Sequence, residues 1–157
     1  LNDCFTAMIQ NFDEQCRTGL YSYFGYATLA SRGSELGLKN TVFAGEDTKT
    51  SANDIQGVLV GLYKGQIAKT QGGQNILSTA RTVSDNDGIP AGVTSGQTAH
   101  YTGENDTSYN DAAVIYGNHG AYALTVLTKD AGSWDVVAGL AKKIEALKAV
   151  KVPAGAR

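Results

Sequence analysis

Serine, histidine and acidic side chains are the residues of this chain that could carry hydrolytic chemistry. An acylating serine needs a base within reach, and a lysine one helical turn later, in the pattern Ser-x-x-Lys, is one such base. No serine in the sequence is followed by a lysine three positions later. Neither histidine, His100 nor His119, has a serine or cysteine partner that the sequence identifies. The spacing of these residue types therefore predicts no complete nucleophilic site within these 157 residues.

Metal coordination is the other chemistry that these residue types allow. Neither histidine lies at a zinc-ligand spacing from a cysteine. Glu104, Asp106 and Asp111 are close in sequence, but their spacing fits no EF-hand loop, so a solvated hairpin is the favoured interpretation. We expect no metal site and no cofactor.

The composition is that of a single domain, residues 1–157. A net charge of −2 gives no reason to expect binding to nucleic acid or to an anionic membrane. No apolar run approaches the ~20 residues of a membrane span, and the chain starts inside a helical pattern without a basic-then-apolar leader. We therefore expect a processed, excised or partial product. Four lysines are predicted to form a solvated helix face: Lys142, Lys143, Lys148 and Lys151.

Up to about residue 90 the apolar residues recur at helical spacing. Asp3 is a candidate cap for the first helix, and Thr50 or Ser51 for a later one, with Asp54 three residues after Ser51 as in a capping box. Further helices are predicted over 29–37 and 67–82, and a turn over 85–90. The predicted apolar faces are Cys4, Phe5, Met8 and Ile9; Cys16, Leu20, Tyr23 and Phe24, ending near Gly25; and Ile55, Val58, Leu59 and Leu62.

The period then changes to that of strands over 97–103, 111–116 and 121–128. Asn118-His119-Gly120 is a tight link that predicts an antiparallel hairpin. The pattern as a whole predicts an α+β domain, with a helical segment followed by a three-strand antiparallel meander and a C-terminal helix. Ser133 is the candidate cap of that last helix, whose predicted apolar face is Val137, Leu140, Ala141, Ile144 and Leu147.

Five segments together carry a family resemblance: Met8–Cys16, Leu36–Thr41, Thr48–Ile55, Ile89–Val93, and Trp134 with Ala141–Ile144. In the same order and at suitable separations, they resemble segments of the penicillin-recognising serine hydrolases, which include class A β-lactamases and D-Ala-D-Ala carboxypeptidases. The resemblance extends from about Cys4 to about Leu147. It implies the C-terminal portion of the β-lactamase/transpeptidase-like fold, without that fold's N-terminal strands and helices.

The resemblance also implies where catalytic residues would lie, and this chain departs from the family there. The family's Ser-Asp-Asn, whose serine passes protons toward the leaving group, corresponds to Phe12-Asp13-Glu14. Its Lys-Thr-Gly, whose lysine supplies positive charge, corresponds to Tyr101-Thr102-Gly103. Its Ser-x-x-Lys lies upstream of the segment that matches Cys4.

Thr102 and Tyr101 remain candidate ligand-binding residues. The Thr102 hydroxyl could bind a carboxylate or carbonyl beside the strand, whereas Tyr101 offers one hydroxyl without charge or is only a strand residue. A literal Ser84-Asp85-Asn86 lies too near Tyr101 to be the family's motif and is interpreted as turn chemistry. Glu46 lies near the place of the family's deacylating glutamate, but the residues around it do not match, so we assign it no catalytic role.

Cys4 and Cys16 could form a disulfide only if the helix between them is broken. One unbroken helix would separate them by ~18 Å, and a disulfide needs Cα atoms within ~7 Å. The segment 10–13 is a suitable break, and the resemblance implies a loop between two helices there. We favour the disulfide, with two buried free thiols as the alternative.

Three functions follow from the resemblance. The preferred one is a catalytically inactive, extracytoplasmic domain of the bacterial cell envelope with a structural, self-assembling or partner-binding role. An exposed sheet edge would then pair with a second copy or a partner chain. The alternatives are a fragment of an active acyl-transfer hydrolase for β-lactams or D-Ala-D-Ala peptides, completed by an upstream Ser-x-x-Lys, and a non-catalytic module that binds peptidoglycan peptides.

Overall fold

The computed structural model describes residues 2–45, 48–118 and 120–149. Helices come first, then a sheet, then a closing helix, so the predicted fold class is confirmed. Glu46, His119 and Lys151 lie outside the described residues. The elements are α1 Asn2–Asn11, α2 Glu14–Phe24, α3 Tyr26–Glu35, α4 Ala52–Tyr63, α5 Lys69–Ala80, α6 Ile89–Gly92, β1 Gly96–Glu104, β2 Tyr109–Gly117, β3 Gly120–Val126 and α7 Trp134–Ala149.

Side-chain caps fix the starts of two helices. Of the two predicted candidates, Ser51 caps α4, with its Oγ accepting a hydrogen bond from the Asp54 amide at 3.2 Å. Asp13 caps α2 by accepting from the Cys16 amide at 2.7 Å. Asp3 was expected as a cap but lies inside the first turn of α1, where a carboxylate still favours the positive end of the helix dipole.

Two of the differences from the predicted elements have a clear local cause. The third helix begins at Tyr26 rather than Leu29, because Gly25, with φ of 74°, ends α2 and lets the next helix start at once. Where only a turn was expected, Ile89–Gly92 forms the short helix α6, with Pro90 in its first turn. Proline is tolerated in a first turn, because its missing amide would have no partner there.

The sheet has the order β1-β2-β3, with both pairs antiparallel as predicted. The predicted hairpin is present, but Gly120, which was assigned to the link, pairs with Gly117 and begins β3. The register of β1 and β2 sets Thr102 opposite Asp111. Within the described residues β1 and β3 are the two edges of this sheet.

The core consists of one cluster on each face of the sheet. The first lies between the sheet and α1, α4 and α5, and the second between the sheet and α6 and α7. Their buried residues are Ile9, Leu62, Leu77, Ala80, Val83, Ala99 and Val114 in the first, and Ile89, Ala113, Ile115, Val126, Val137 and Ala141 in the second.

The predicted apolar faces of α2 and α7 are partly wrong. Tyr23 is 72% exposed, because α2 contacts chiefly its neighbours α1 and α3 and buries no residue of its own. In α7, Val137 and Ala141 are buried as predicted, but Leu140 and Leu147 of the same predicted face are 43% and 72% exposed. The predicted solvated lysine face holds at Lys142 and Lys143, which are exposed. Lys148 is half-buried, with its ammonium over the Tyr122 ring at 4.0 Å.

No helix among the described residues is long and apolar enough to cross a membrane.

Candidate functional site

A groove of about 630 Å³ runs beside the second half of β1, between the α1–α2 junction and the turn that follows α5. All six motif positions of the resemblance, residues 12–14 and 101–103, lie in its wall. Residues about 90 apart in sequence are therefore brought together. The lining residues are Phe12, Asp13, Glu14, Arg17, Ser84, Asp85, Tyr101, Thr102, Gly103 and Glu104.

Two aromatic rings stand where the family has its serine and lysine. The Phe12 and Tyr101 ring centroids are 5.2 Å apart, tilted by 36°. Phe12 has a left-handed backbone, with φ of 55°, which a non-glycine residue adopts only at some cost in energy. The Tyr101 hydroxyl donates to the Met8 carbonyl at 3.2 Å. This pair ties β1 to the end of α1.

The ionisation of Tyr101 is disfavoured by its surroundings. Burial raises the pKa of its hydroxyl above the ordinary tyrosine value, although the nearby Arg17 charge acts in the opposite direction. The phenol therefore stays protonated and neutral at neutral pH. It can donate one hydrogen bond, and it supplies neither a base nor a positive charge.

Thr102 is buried, and its hydroxyl is already engaged. Its side chain is 5% exposed, and its Oγ1 donates to Asp85 Oδ2 at 3.3 Å. The predicted turn at 84–86 is present, since the Asp87 amide donates to Asp85 Oδ1 at 3.1 Å. Asp85 therefore shapes its own turn and also places a carboxylate beside Thr102, a role that local turn chemistry does not reveal.

Arg17 is the cationic side chain in the wall of the groove, and Glu14 holds it. Arg17 Nε donates to Glu14 Oε2 at 2.7 Å, and its Nη2 contacts the other carboxylate oxygen. The hydrogen bond from Arg17 lowers the pKa of the Glu14 carboxyl, and the same contact raises the pKa of the guanidinium. The two charges largely neutralise each other within the groove.

The far end of the groove is formed by Gly103 and Glu104. A side chain added at Gly103 would meet no heavy atom within 4 Å, so the wall is open at this position. The Trp134 indole donates to Glu104 Oε2 at 3.1 Å and its ring contacts that of Tyr109 edge-on. These contacts hold the Glu104 carboxylate at the rim.

His100 and Asp111 form a buried pair that the sequence did not indicate. Their side chains are 2% and 0% exposed, and Nδ1 of His100 lies 3.2 Å from Asp111 Oδ1. The other oxygen of Asp111 accepts from the Ile89 amide at 2.7 Å. The prediction that Asp111 belongs to a solvated hairpin is wrong, because β2 turns this side chain toward α6.

A second cavity of about 320 Å³ adjoins the groove on the side of α1, α4 and α5. Arg17 and Tyr101 line both spaces. Apart from the side chains of Arg17, Tyr21, His100 and Tyr101, its lining is aliphatic: Met8, Ile9, Leu59, Leu62, Ile76, Leu77, Ala80, Ala99 and Ala112.

The predicted disulfide is present. Cys4 and Cys16 are bonded, with their Cα atoms 5.1 Å apart. The predicted break at 10–13 is what permits this, since α1 ends at Asn11 and α2 begins at Glu14. The closed loop contains Phe12 and Asp13, so the disulfide joins the two helices whose junction forms one wall of the groove.

Among residues 2–45, 48–118 and 120–149, no group of three or more His, Cys, Asp or Glu side chains is arranged to hold a metal ion.

Sequence reasoning missed three side chains of this groove. Arg17 and Glu104 belong to no motif of the resemblance, and Asp85 was assigned to a turn alone. The sequence carries only a weak signal that these residues belong to the groove. Arg17 and Glu104 are charged residues a few positions from a motif residue, and Asp85 is a charged residue in a predicted turn. Only the packing of α1, α2 and the 84–87 turn against β1 brings them together.

Comparison with known families decides the identity of the fold. The sequence model of the "Beta-lactamase enzyme family" matches residues 1–149. The chain belongs to the β-lactamase enzyme family. A search of curated proteins found no match.

Solved structures with the same fold superpose on most of the chain. PBP-A is 20% identical, with a TM-score of 0.84, and the match covers 92% of this chain and 60% of PBP-A. A β-lactamase from Sphaerobacter thermophilus is 15% identical, with a TM-score of 0.88 over 98% of this chain and 65% of that protein. The TLA-3 extended-spectrum β-lactamase is 18% identical, with a TM-score of 0.83 over 92% and 63%. The chain thus spans less than two thirds of these relatives.

Proposed function

We propose that this β-lactamase-family chain is catalytically inactive and acts by binding a partner. The observation that carries the proposal is the Phe12–Tyr101 contact, at 5.2 Å between ring centroids. Acyl transfer needs a group that passes a proton to the leaving group, and positive charge beside the reacting centre. A phenyl ring has no exchangeable proton, and the neutral phenol of Tyr101 carries no positive charge.

The disulfide supports a location outside the cytoplasm. Disulfides persist in oxidising compartments and are rare where thiols are kept reduced. Cys4 and Cys16 lie in helices that also frame the groove. We therefore propose that this chain is an extracytoplasmic binding domain located in the bacterial cell envelope.

Covalent labelling of the full-length protein tests the inactivity. The protein is incubated with benzylpenicillin, and its intact mass is compared with that of a penicillin-acylated family member treated in parallel. We expect no adduct, because the groove holds two aromatic rings where proton transfer and charge are required. A stoichiometric penicilloyl adduct on any serine would overturn the proposal.

A fragment of an active hydrolase is the second candidate, and two observations favour it. The chain covers 60% of PBP-A, and a variant of that protein has been solved as an acyl-enzyme complex with penicillin G. The cavity of about 320 Å³ beside the groove also offers an apolar surface for a further segment. A Ser-x-x-Lys elsewhere in the full-length protein, together with a penicillin adduct, would establish this candidate.

A peptidoglycan-peptide-binding module is less well supported by the groove. A peptide ending in D-Ala-D-Ala brings a carboxylate to its site, and Thr102 was the residue expected to bind it. In the structure the Thr102 hydroxyl is bonded to the Asp85 carboxylate, which repels a second anion. Binding of such peptides that is lost in Thr102→Val would favour this alternative.

A further inference from the structure

We infer that the groove of about 630 Å³ binds an extended peptide segment that carries basic side chains, and that the carboxylates of the groove contact those side chains. The inference rests on the proposed function, because it names the partner of that same binding site. It follows from the charge of the groove and from its position along a sheet edge.

The charge of the groove is predominantly negative. Four carboxylates line it, from Asp13, Glu14, Asp85 and Glu104, and Arg17 is the one basic side chain among its lining residues. Because Arg17 is held by two contacts to Glu14, its charge is not free to receive an anionic ligand. The groove is thus complementary to a cation and repels an anion.

The carboxylates are fixed in place before a ligand arrives. Asp13 accepts from the Cys16 amide at 2.7 Å, and Asp85 accepts from the Asp87 amide and the Thr102 hydroxyl. Glu104 accepts from the Trp134 indole at 3.1 Å. Groups held in this way lose little side-chain freedom on binding, which favours affinity.

The shape of the groove fits an extended chain. It follows residues 101–104 of β1, which is an edge of the sheet within the described residues. An edge strand presents unpaired amides and carbonyls that an extended peptide can use. Gly103 leaves the wall open, and the exposed side of the Tyr101 ring offers a surface for the aliphatic stem or the charge of a lysine or arginine.

A bound metal ion is a poorer fit to the same carboxylates. In the described part of the chain, no three or more His, Cys, Asp or Glu side chains are grouped so that they could hold a metal ion.

Fluorescence anisotropy on the full-length protein tests the inference. The probe is a labelled peptide of alternating lysine and glycine, and the reference is the same peptide with every lysine acetylated. We expect the lysine peptide to bind more tightly than the acetylated peptide, and we expect its affinity to fall as the salt concentration is raised. In the double variant Asp85→Asn, Glu104→Gln, which keeps hydrogen-bonding groups at both positions, we expect affinity about tenfold lower.

Glu35→Gln is the matched control, because Glu35 is exposed, pairs with Arg32 on α3 and does not line the groove. Its affinity should equal that of the wild type, and circular dichroism should show that all variants are folded. Equal affinity for the lysine and acetylated peptides, or equal weakening by Glu35→Gln, would overturn the inference. That failure is distinct from failure of the proposed function, which a penicilloyl adduct would reveal.

Discussion

Asp111 is a carboxylate that the fold buries almost completely, at 1% exposed. It is tolerated there because the Ile89 amide donates to one oxygen and His100 faces the other. Gly88 allows the close approach, since a Cβ at that position would lie 2.4 Å from Asp111 Oδ2. This one side chain therefore links β1, β2 and the start of α6.

Replacement of Asp111 by alanine should be strongly destabilising. It leaves the Ile89 amide and His100 Nδ1 buried without an acceptor, and we expect the free energy of unfolding to fall by about 3 kcal/mol. Urea denaturation followed by circular dichroism measures it. Asp106→Ala is the control, because Asp106 is exposed in the adjoining loop and should change stability by less than about 0.5 kcal/mol. Equal losses in the two variants would contradict this account.

At the scale of elements, the disulfide determines how α1 and α2 present the groove wall. Helix α2 buries no residue, so the core contributes little to holding it in place. The Cys4–Cys16 bond and the Phe12–Tyr101 contact supply that restraint instead.

Removing the disulfide should lower stability measurably. A cross-link over a sequence separation of 12 restricts the unfolded chain, and its loss in the double variant Cys4→Ser, Cys16→Ser should cost about 3 kcal/mol. The measurement is chemical denaturation with and without a phosphine reductant. The reductant should destabilise the wild type by a similar amount and leave the double variant unchanged. A wild type that is indifferent to the reductant would refute the expectation.

At the scale of the whole molecule, the three-stranded sheet has two edges within the described residues. The groove flanks β1, while β3 leaves a second edge over Gly120–Val126. Because an unpaired edge strand pairs readily with another strand, self-assembly or a partner chain at β3 remains our prediction for this protein.

Native mass, compared with the denatured chain mass, tests that prediction. We expect an assembly larger than one chain, and a smaller native mass in Ala121→Lys, because a charge on the exposed Ala121 of β3 opposes edge pairing. Ala146→Lys adds the same charge on the exposed face of α7 and should leave the assembly intact. A stable monomer of the wild type over a wide concentration range would remove the prediction.

The sequence by itself determined the order of the elements and the absence of the family's serine and lysine from two motif positions. Apolar periodicity, the Ser51 cap and the short link after Gly117 are local features, so they predict helices and strands without knowledge of packing. The residue types Phe12 and Tyr101 likewise exclude the family's serine and lysine at those positions whatever the fold.

Only the tertiary structure decided how distant residues meet. In the folded chain Asp111 is a buried partner of His100, and Asp85 contacts Thr102. Leu147 of α7 is exposed, although it lies at the helical spacing of the predicted apolar face. Such outcomes depend on which face of an element its neighbours cover, and that is set by the packing of segments far apart in sequence. The negative groove is therefore a property of the assembled molecule, because its carboxylates come from three separate segments of the chain.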